Sequence, residues 1–450
     1  MKLPKILWNC ILVLIAAGVF LSPAQPVDAL EYPATEAASS VLVDMDTGRV
    51  LYASNEGERA YPASTTKIMT ALLVLESYAR GDIELADTVT VSASASSDLT
   101  ADSSTAGLLP GEVMSVDDLL YCALMVSANE ACNVLAEYVS GSVESFLDLM
   151  NNRAIELGCA DTHFANTHGL PNENHYTTAG DLKIISAEAL KHDKFVEIVN
   201  SLEKTIPATN KSEARELKST NRLIDPASEF YYEKASGVKT GFTKAAGQCL
   251  VSTATGDNGL RVMAVVMGVA RADEKGVQPE TEATSFSVSR DLYNWVFENY
   301  EYYEVLGTGE TVASVPVIMG ENADSVSVKP ETPLNILLPN DYAESDITRD
   351  VIIFEGENDG DIAAPIVADQ ILGQVALTYN GENYGPVNLL ANSAVQLSRV
   401  EYMKSEIIKT LSNIWVRVAL IMVVLLFVIY FIFVVYNKIE KRRRKKRRRR

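Results

Sequence analysis

Cysteine and histidine are scarce in this chain of 450 residues. It contains five cysteines and four histidines, with no C-x-x-C pair and no histidines at the spacing of metal ligands. We therefore predict neither a disulfide framework nor a metal site. Cys10 falls in an N-terminal apolar run, and we expect the other cysteines to be buried free thiols, namely Cys122, Cys132, Cys159 and Cys249.

Positive charge is also sparse, except at the C-terminus. The whole chain has a net charge of −20, and its last ten residues, KRRRKKRRRR, are all basic, so the other 440 residues carry −30. This acidic body argues against nucleic-acid binding by the main domains. The length is sufficient for two or more domains, each with its own core.

Residues 1–29 have the three parts of a secretory signal peptide. Lys2 and Lys5 precede the apolar run ILWNCILVLIAAGVF, and small residues follow as far as Ala29. This order of basic, apolar and small residues is typical of a cleaved signal. A retained N-terminal anchor is the alternative, and the shortness of the apolar run disfavours it.

A second apolar segment lies near the C-terminus. Val418 to Tyr436 contains no charged residue over 19 positions, enough to cross the ~30 Å hydrocarbon layer of a membrane. We predict a transmembrane helix over 415–437 and a cytoplasmic tail over 438–450, because basic residues stay on the cytoplasmic side. A buried core helix is disfavoured by the basic tail. We expect the tail to contact anionic membrane lipids rather than RNA.

The chain between these segments divides into two parts that differ in predicted secondary structure. Strands at both ends with helices between them predict one α+β domain over 30–300. Its predicted elements are hairpins at 39–54 and 247–270 and helices after Ser64, from Ser115, over about 130–138 and over about 284–299. The serine-rich stretch 92–107 is predicted to be a mobile loop. Short strands, with Asn380-Gly381 as a hairpin turn, predict an all-β domain over 301–397, followed by a helical stalk over 398–414.

The stretch PASTTKIMTALLVLE places a lysine where local preference disfavours one. Lys67 stands in the first turn of a helix that is apolar from Ile68 to Leu75 except at Thr70. Residues i and i+3 share a helix face, so Ser64 and Lys67 can touch. A serine hydroxyl needs a base to become a nucleophile, and a lysine in apolar surroundings has the lowered pKa that such a base requires. A lone S-x-x-K is a weak signal.

Two further motifs strengthen the interpretation of Ser64 and Lys67 as a catalytic pair. Ser127-Ala128-Asn129 falls in the predicted turn between two helices, and Lys239-Thr240-Gly241 in a predicted edge strand before the second hairpin. The separations, 63 residues from Ser64 to Ser127 and 112 from Ser127 to Lys239, suit one domain that folds all three motifs into a single cleft. The lysine and hydroxyl of the third motif suit a substrate carboxylate. Penicillin-binding proteins and class A β-lactamases share this trio.

Four segments carry a closer resemblance. PASTTK (62–67), VSANEA (126–131), THFANTHGLPNENHYTTAGDL (162–182) and GVKTGFTKAAG (237–247) resemble the serine D-Ala-D-Ala carboxypeptidases, the low-molecular-mass penicillin-binding proteins. The similarity covers nearly all of 35–300. It implies a penicillin-binding/β-lactamase-like transpeptidase domain, with an antiparallel sheet and a helical cluster, followed by a small all-β domain and a C-terminal membrane anchor.

The resemblance also implies residue roles. Ser64 would be the acylated nucleophile, Lys67 its general base, and Ser127 a proton relay toward the leaving D-alanine, assisted by Lys239. Asn129 would bind the peptide amide.

The remaining roles concern the substrate carboxylate and carbonyl. Lys239 and Thr240 would hold the terminal carboxylate, and Gly241 would let the substrate approach the strand closely. The backbone N–H groups of Ser64 and Phe242 would form the oxyanion hole.

Some positions depart from the family pattern or stay open. Ala128 replaces the usual glycine, and Phe242 stands where some relatives have histidine. The family's arginine near the substrate carboxylate is either Arg261 or Arg271. His168, in the HGLP stretch, is expected to order a loop rather than to react.

The implied reaction removes the terminal D-alanine from peptidoglycan stem peptides and needs neither metal nor organic cofactor. β-Lactams would act as covalent inhibitors of the same serine. A serine β-lactamase is disfavoured because it needs a Glu-x-x-x-Asn loop after the middle motif, and a Ser-His-Asp hydrolase because no G-x-S-x-G is present. A non-catalytic penicillin-binding sensor or cell-wall scaffold stays open as the alternative.

Overall fold

The computed structural model describes residues 32–270, 284–356 and 361–447. The predicted signal peptide and Arg271 therefore lie outside the described residues. The chain divides into two compact units, with the division after Glu301.

An antiparallel sheet of five strands forms the centre of the first unit. Its strands are β1 (Ser39–Asp44), β2 (Val50–Ser54), β7 (Ala235–Thr243), β8 (Gly247–Thr255) and β9 (Arg261–Val269), in the order β2-β1-β9-β8-β7. Two small hairpins are formed by β3 (Thr88–Thr90) with β4 (Val113–Ser115) and by β5 (Glu203–Ile206) with β6 (Arg215–Lys218). The two hairpins predicted over 39–54 and 247–270 are confirmed as the pairs β1 with β2 and β8 with β9. The sheet leaves β7, with its single neighbour β8, as an edge strand.

Helices cover the sheet. They are α1 (Lys67–Ala79), α2 (Val116–Met125), α3 (Asn129–Ser140), α4 (Val143–Glu156), α5 (Ala179–Ala189), α6 (Asp193–Val199) and α7 (Ser285–Asn299). Two of the predicted helix starts follow from capping, since the Ser115 side chain accepts from the Asp118 N–H and Thr284 forms a capping box with Ser287. Helix α7 packs on β8 and β9, and α5 packs on β1 and β9.

An apolar core of the first unit lies on the face of the sheet that α1 covers, and it includes residues of α1. Ile68, Met69 and Leu72 are fully buried, and each contributes about 1.5–3 kcal/mol to the free energy of unfolding. The predicted buried state of the free thiols is confirmed for Cys122, Cys132, Cys159 and Cys249. The α+β prediction for this unit is likewise confirmed.

The serine-rich stretch 92–107 is fastened to α3 at several points. The Asn129 N–H donates to the Ser104 carbonyl at 2.9 Å, and the Asn133 side chain donates to the Ala95 carbonyl at 3.0 Å. Ala95 itself is fully buried. Long-range hydrogen bonds to one helix therefore hold this stretch at its attachment points, and the predicted mobility of the loop stays a prediction.

The second unit is an all-β domain with a helical extension, as predicted. A five-stranded antiparallel sheet has the order β11-β12-β16-β15-β14. Its strands are β11 (Ala313–Pro316), β12 (Ser325–Pro330), β14 (Ile347–Ile353), β15 (Ile371–Tyr379) and β16 (Glu382–Ala391), and β10 (Tyr300–Leu306) pairs with β13 (Leu334–Pro339). Asn380 and Gly381 both have positive φ, 49° and 83°, and form the predicted turn between β15 and β16.

Two helices follow the β-domain. The predicted stalk contains α8 (Arg399–Ser412), which is capped by Ser398, and the apolar segment lies in α9 (Ile414–Arg447). Among the described residues, this last helix is long and apolar enough to cross a membrane, since an 18-residue window of it has a mean hydropathy of 3.4 and is not buried in the protein. It is therefore compatible with a membrane anchor.

Candidate active site

The first motif folds into a short 3-10 turn, Ala63–Thr66, that runs directly into α1. This turn places the Ser64 hydroxyl 2.9 Å from the Lys67 Nζ, so the predicted contact is present. Ala63 adopts a positive φ of 48°, which is unfavourable for a residue with a Cβ. Its carbonyl accepts from the Thr66 hydroxyl at 2.8 Å, and this bond stabilises the turn that presents Ser64.

The Lys67 amine is buried among polar atoms of three segments. Besides Ser64, it contacts the Asn129 Oδ1 at 2.7 Å and the His168 carbonyl oxygen at 2.8 Å. Burial of the side chain lowers the pKa of Lys67 to about 8, against smaller opposing effects of Cys132 and Glu130. A substantial fraction of the amine is therefore neutral at mildly alkaline pH, as a general base must be.

The middle motif occupies the turn between α2 and α3. Ser127 has a positive φ of 62°, and its Oγ is buried without a hydrogen-bond partner in the described part of the chain. A left-handed serine with an unsatisfied hydroxyl is costly, and such strain concentrates at functional sites. Asn129 opens α3 and faces Lys67. Ala128 has ordinary extended backbone, φ −61° and ψ 119°, so replacement of the family's glycine introduces no strain.

The third motif lies on the edge strand β7, as predicted. The Lys239 side chain is 1% exposed, and its Nζ donates to the Thr240 carbonyl at 2.9 Å. Burial lowers the pKa of Lys239 well below its usual value, and the nearby Lys67 lowers it further. The two lysines thus share one pocket and repel each other's charge.

The rest of β7 brackets the serine turn. A Cβ at Gly241 would lie 3.0 Å from the Ser64 backbone nitrogen, so glycine permits the close packing of strand on turn. The Thr240 and Thr220 hydroxyls are 2.7 Å apart, and the Phe242 side chain is 39% exposed. The strand therefore lies directly against the turn that carries Ser64.

A glycine in the HGLP stretch allows a second close approach. Gly169 has φ +95°, and a Cβ there would lie 1.7 Å from the Ala63 carbonyl oxygen. No other residue fits that space without displacing the turn. The approach brings the preceding His168 carbonyl within reach of Lys67.

Both histidines near the site are held as neutral rings. The Leu170 N–H donates to His168 Nδ1 at 3.3 Å, so Nε2 carries the hydrogen and donates to Asp98 at 2.9 Å. Burial lowers the pKa of His168, against the effect of Asp98. His175 bonds the Thr66 hydroxyl at 2.8 Å, and burial lowers its pKa to about 3. Both rings therefore order backbone around the site, which agrees with the expectation for His168.

Arg261 lies away from the lysine pocket. Its guanidinium forms an ion pair with Asp46, and the residue faces Thr255 at the far end of β8, whereas Lys239 faces Val251. It is therefore not placed beside the third motif, and the other candidate, Arg271, is outside the described residues.

The fold thus brings the three predicted motifs together around one cluster. Lys67 contacts both Ser64 and Asn129, the charge of Lys67 lowers the pKa of the nearby Lys239, and Gly241 packs on the serine turn. Ser127, the predicted proton relay, forms no hydrogen bond with either lysine within the described residues.

Two contributions to the cluster were not predicted. One is the His168 carbonyl, a backbone group that no residue type reveals. The other is Glu130, a buried carboxylate at the start of α3, next to Asn129. A charged residue directly after the S-x-N motif, in a helix whose next three positions include alanine and cysteine, was the available signal for it.

Two family models match this chain. One, described as D-alanyl-D-alanine carboxypeptidase, matches residues 26–271, and the other, described as penicillin-binding protein 5, C-terminal domain, matches residues 300–397. Together they correspond to the α+β unit and the all-β domain.

Individual relatives agree. The D-alanyl-D-alanine carboxypeptidase DacF of Bacillus subtilis is 35% identical over 349 residues, 78% of this chain and 83% of the relative. DacC of Escherichia coli is 31% identical over 363 residues, 79% of this chain and 83% of the relative. A crystal structure of penicillin-binding protein 5 from Haemophilus influenzae is 29% identical, with a TM-score of 0.58 over 81% of this chain and 99% of that chain. The chain therefore belongs to the D-alanyl-D-alanine carboxypeptidase family, peptidase family S11.

Proposed function

We propose that this chain is a serine-type D-Ala-D-Ala carboxypeptidase that removes the terminal D-alanine from peptidoglycan pentapeptide stems through an acyl-enzyme on Ser64. Family membership supports the activity class. The observation that carries the assignment to Ser64 is its 2.9 Å contact with a buried lysine of lowered pKa.

Acylation begins at Ser64. The neutral Lys67 amine takes the hydroxyl proton while Oγ attacks the carbonyl carbon between the two D-alanines. The backbone N–H groups of Ser64 and Phe242 stabilise the resulting oxyanion. Since Gly241 lets β7 pack closely on the serine turn, the two N–H groups come from adjacent backbone segments.

The leaving group departs next. The C–N bond breaks, the proton moves to the amine of the last D-alanine through Ser127, and free D-alanine leaves. Water then hydrolyses the Ser64 ester and restores the hydroxyl. The unpartnered Ser127 hydroxyl is available for this relay, and Lys239 lies in the same motif cluster.

Substrate orientation falls to the remaining residues. Lys239 and Thr240 hold the terminal carboxylate by charge-assisted hydrogen bonds, and Asn129 binds the peptide amide. A β-lactam carries a comparable amide and carboxylate, so it acylates Ser64 in place of the stem peptide.

A sensor or scaffold that binds penicillin without turnover is the second candidate, and a β-lactamase the third. The test is incubation of the purified chain with a pentapeptide ending in D-Ala-D-Ala and, separately, with nitrocefin. We expect more moles of free D-alanine than moles of enzyme, and slow hydrolysis of nitrocefin. Acylation without release of D-alanine supports the sensor, and rapid nitrocefin hydrolysis supports the β-lactamase.

The lowered pKa of Lys67 predicts the pH dependence of acylation. Only the neutral amine accepts the Ser64 proton, so kcat/KM rises with pH through an apparent pKa near 8 and falls by about tenfold per unit below it. The measurement is the rate of acylation by a penicillin at limiting concentration between pH 5 and 9. A rate independent of pH over this range contradicts a base role for Lys67.

We also propose the location and the limits of the mature chain. Residues 1–29 are removed as a signal peptide, domains over 30–300 and 301–397 and the stalk over 398–414 lie outside the cell, and 415–437 cross the cytoplasmic membrane once. The tail 438–450 lies inside, next to anionic lipids. In right-side-out membrane vesicles, added protease should release the catalytic domain but spare a C-terminal epitope tag. Loss of the tag in intact vesicles contradicts this orientation.

A further inference from the structure

A chain of hydrogen bonds joins the serine-rich stretch to the base of the proposed reaction. The His168 Nε2–H donates to the Asp98 Oδ2 at 2.9 Å, and the His168 carbonyl oxygen accepts from the Lys67 Nζ at 2.8 Å. On its other oxygen, Asp98 accepts from the Asn133 side chain at 2.9 Å. Asp98 therefore connects its own stretch to α3 and to the HGLP stretch, and a single residue, His168, separates it from Lys67.

The ring of His168 depends on Asp98 for its acceptor. The His168 side chain is 1% exposed, whereas the Asp98 side chain is 44% exposed. A buried N–H that lacks an acceptor is unfavourable, so a ring deprived of this carboxylate shifts to find another partner. Because Asp98 itself lies partly at the surface, its replacement leaves the apolar core intact.

The other edge of the ring and the preceding residue are also fixed. The Leu170 N–H donates to the His168 Nδ1 at 3.3 Å, so a ring turned over by 180° would present carbon atoms to both partners. The Thr167 hydroxyl donates to the Asn133 Oδ1 at 2.6 Å, and Asn133 also bonds Asp98. The backbone of His168, including its carbonyl, is thus restrained by its ring and by its neighbours.

The charges suit a neutral ring that donates to an ionised carboxylate. The hydrogen bond from His168 lowers the pKa of Asp98, so this carboxyl is ionised at neutral pH. Burial, together with the nearby Lys67, lowers the pKa of His168 against the effect of Asp98. A hydrogen bond to a charged acceptor is stronger than one between neutral groups, so the contact holds the ring firmly.

The carbonyl that this ring positions helps to orient the Lys67 amine. A neutral amine has two hydrogens and one lone pair. The Asn129 Oδ1, at 2.7 Å, and the His168 carbonyl oxygen, at 2.8 Å, accept the two hydrogens. The lone pair is then directed at the Ser64 hydroxyl, 2.9 Å away, as a base requires. If the carbonyl moves, the amine is free to turn its lone pair away from Ser64.

We propose that Asp98 is a positioning residue for acylation that acts through His168. It holds the ring of His168 so that the carbonyl of the same residue stays against the Lys67 amine and keeps the lone pair on Ser64. This inference rests on the proposed function, because it requires Lys67 to be the base.

The variant Asp98→Ala tests it in the full chain. The rate of covalent labelling by a fluorescent penicillin, measured at several concentrations, gives a maximal rate and an apparent dissociation constant. A small misplacement of a catalytic group costs up to about 10²-fold, so we expect the maximal rate to fall by about 10–100-fold. We expect an unchanged dissociation constant, since the groups that hold the penicillin are untouched. Melting temperature is the check on folding.

Asp98→Asn is the conservative variant that separates the two contacts of Asp98. Its amide oxygen still accepts from the His168 Nε2–H, whereas its amide nitrogen faces the Asn133 nitrogen and cannot accept from it. We expect this variant to regain a rate close to that of the wild type. Asp102→Ala, which removes an exposed carboxylate from the same stretch, is the matched control and should label like the wild type.

A double-mutant cycle shows whether the effect passes through His168. His168→Asn keeps an acceptor for the Leu170 N–H but is too short to reach Asp98. In this background we expect Asp98→Ala to cause no further loss, because interacting residues are not additive. If His168→Asn fails to fold, the comparison of Asp98→Ala with Asp98→Asn decides alone.

Three results would overturn the inference. They are a wild-type maximal rate for Asp98→Ala, an equal loss in Asp98→Ala and Asp98→Asn, and a change in the dissociation constant in place of the rate. Each of them leaves the proposed function standing. Conversely, a wild-type chain that is labelled but releases no D-alanine contradicts the proposed turnover, while the role of Asp98 in acylation is still decided by labelling.

Discussion

Replacement of Ser64 by alanine abolishes covalent labelling by a fluorescent penicillin and release of D-alanine, while the protein stays folded. In a serine hydrolase that also forms an acyl-enzyme, removal of the nucleophile lowers kcat by about 10⁶-fold, so we expect residual activity below detection. The side chain is small and lies at a surface-accessible turn, so the loss of its hydroxyl leaves the apolar core unchanged. The measurement is gel fluorescence after labelling, with melting temperature measured in parallel.

The matched control is Ser104→Ala, in the serine-rich stretch. The Ser104 side chain is exposed, and the residue contacts the site only through its backbone carbonyl. We expect full labelling of this variant. Persistent labelling of Ser64→Ala would remove Ser64 from the proposed role and would require another nucleophile.

The second large effect is expected for Lys67→Met. Methionine has a similar length and suits the apolar neighbours of α1, but it cannot accept a proton. General-base catalysis contributes about 10²–10⁴-fold, so we expect acylation to slow to that extent and to lose its rise with pH. The Asn129 Oδ1 and the His168 carbonyl lose their donor, which costs about 1–3 kcal/mol of stability.

The measurement is the rate of acylation against pH, which reports both the slower acylation and the loss of its rise with pH. Lys191→Met serves as control, since the Lys191 side chain is 69% exposed and belongs to a surface ion pair. We expect wild-type rates for it. A Lys67→Met variant that acylates at the wild-type rate with the same pH dependence would assign the base to another group.

The three motifs were predictable because each is a local pattern. The i, i+3 spacing of Ser64 and Lys67 holds even though the segment is a 3-10 turn followed by a helix. Capping by Ser115 and the Asn-Gly turn at 380–381 are equally local, as is the strand pattern around Lys239. These features depend on neighbours in the chain, which the sequence lists directly.

The parts that escaped prediction depend on tertiary contacts or on backbone conformation. The left-handed φ values of Ala63 and Ser127 contradict residue preference and are imposed by packing. The His168 carbonyl reaches Lys67 only because Gly169 lies against the turn. The attachment of the serine-rich stretch to Glu130 joins segments that are distant in sequence.

The central claim is that the Ser64 hydroxyl, activated by Lys67, carries the acyl group. It is tested most directly by mass spectrometry of the peptide that contains Ser64, after the full chain is mixed with a pentapeptide and quenched in acid. The account predicts a peptide whose mass is increased by the stem peptide less one D-alanine, with the modification on Ser64. An acyl group found on any other residue, or release of D-alanine with Ser64 never modified, would contradict it.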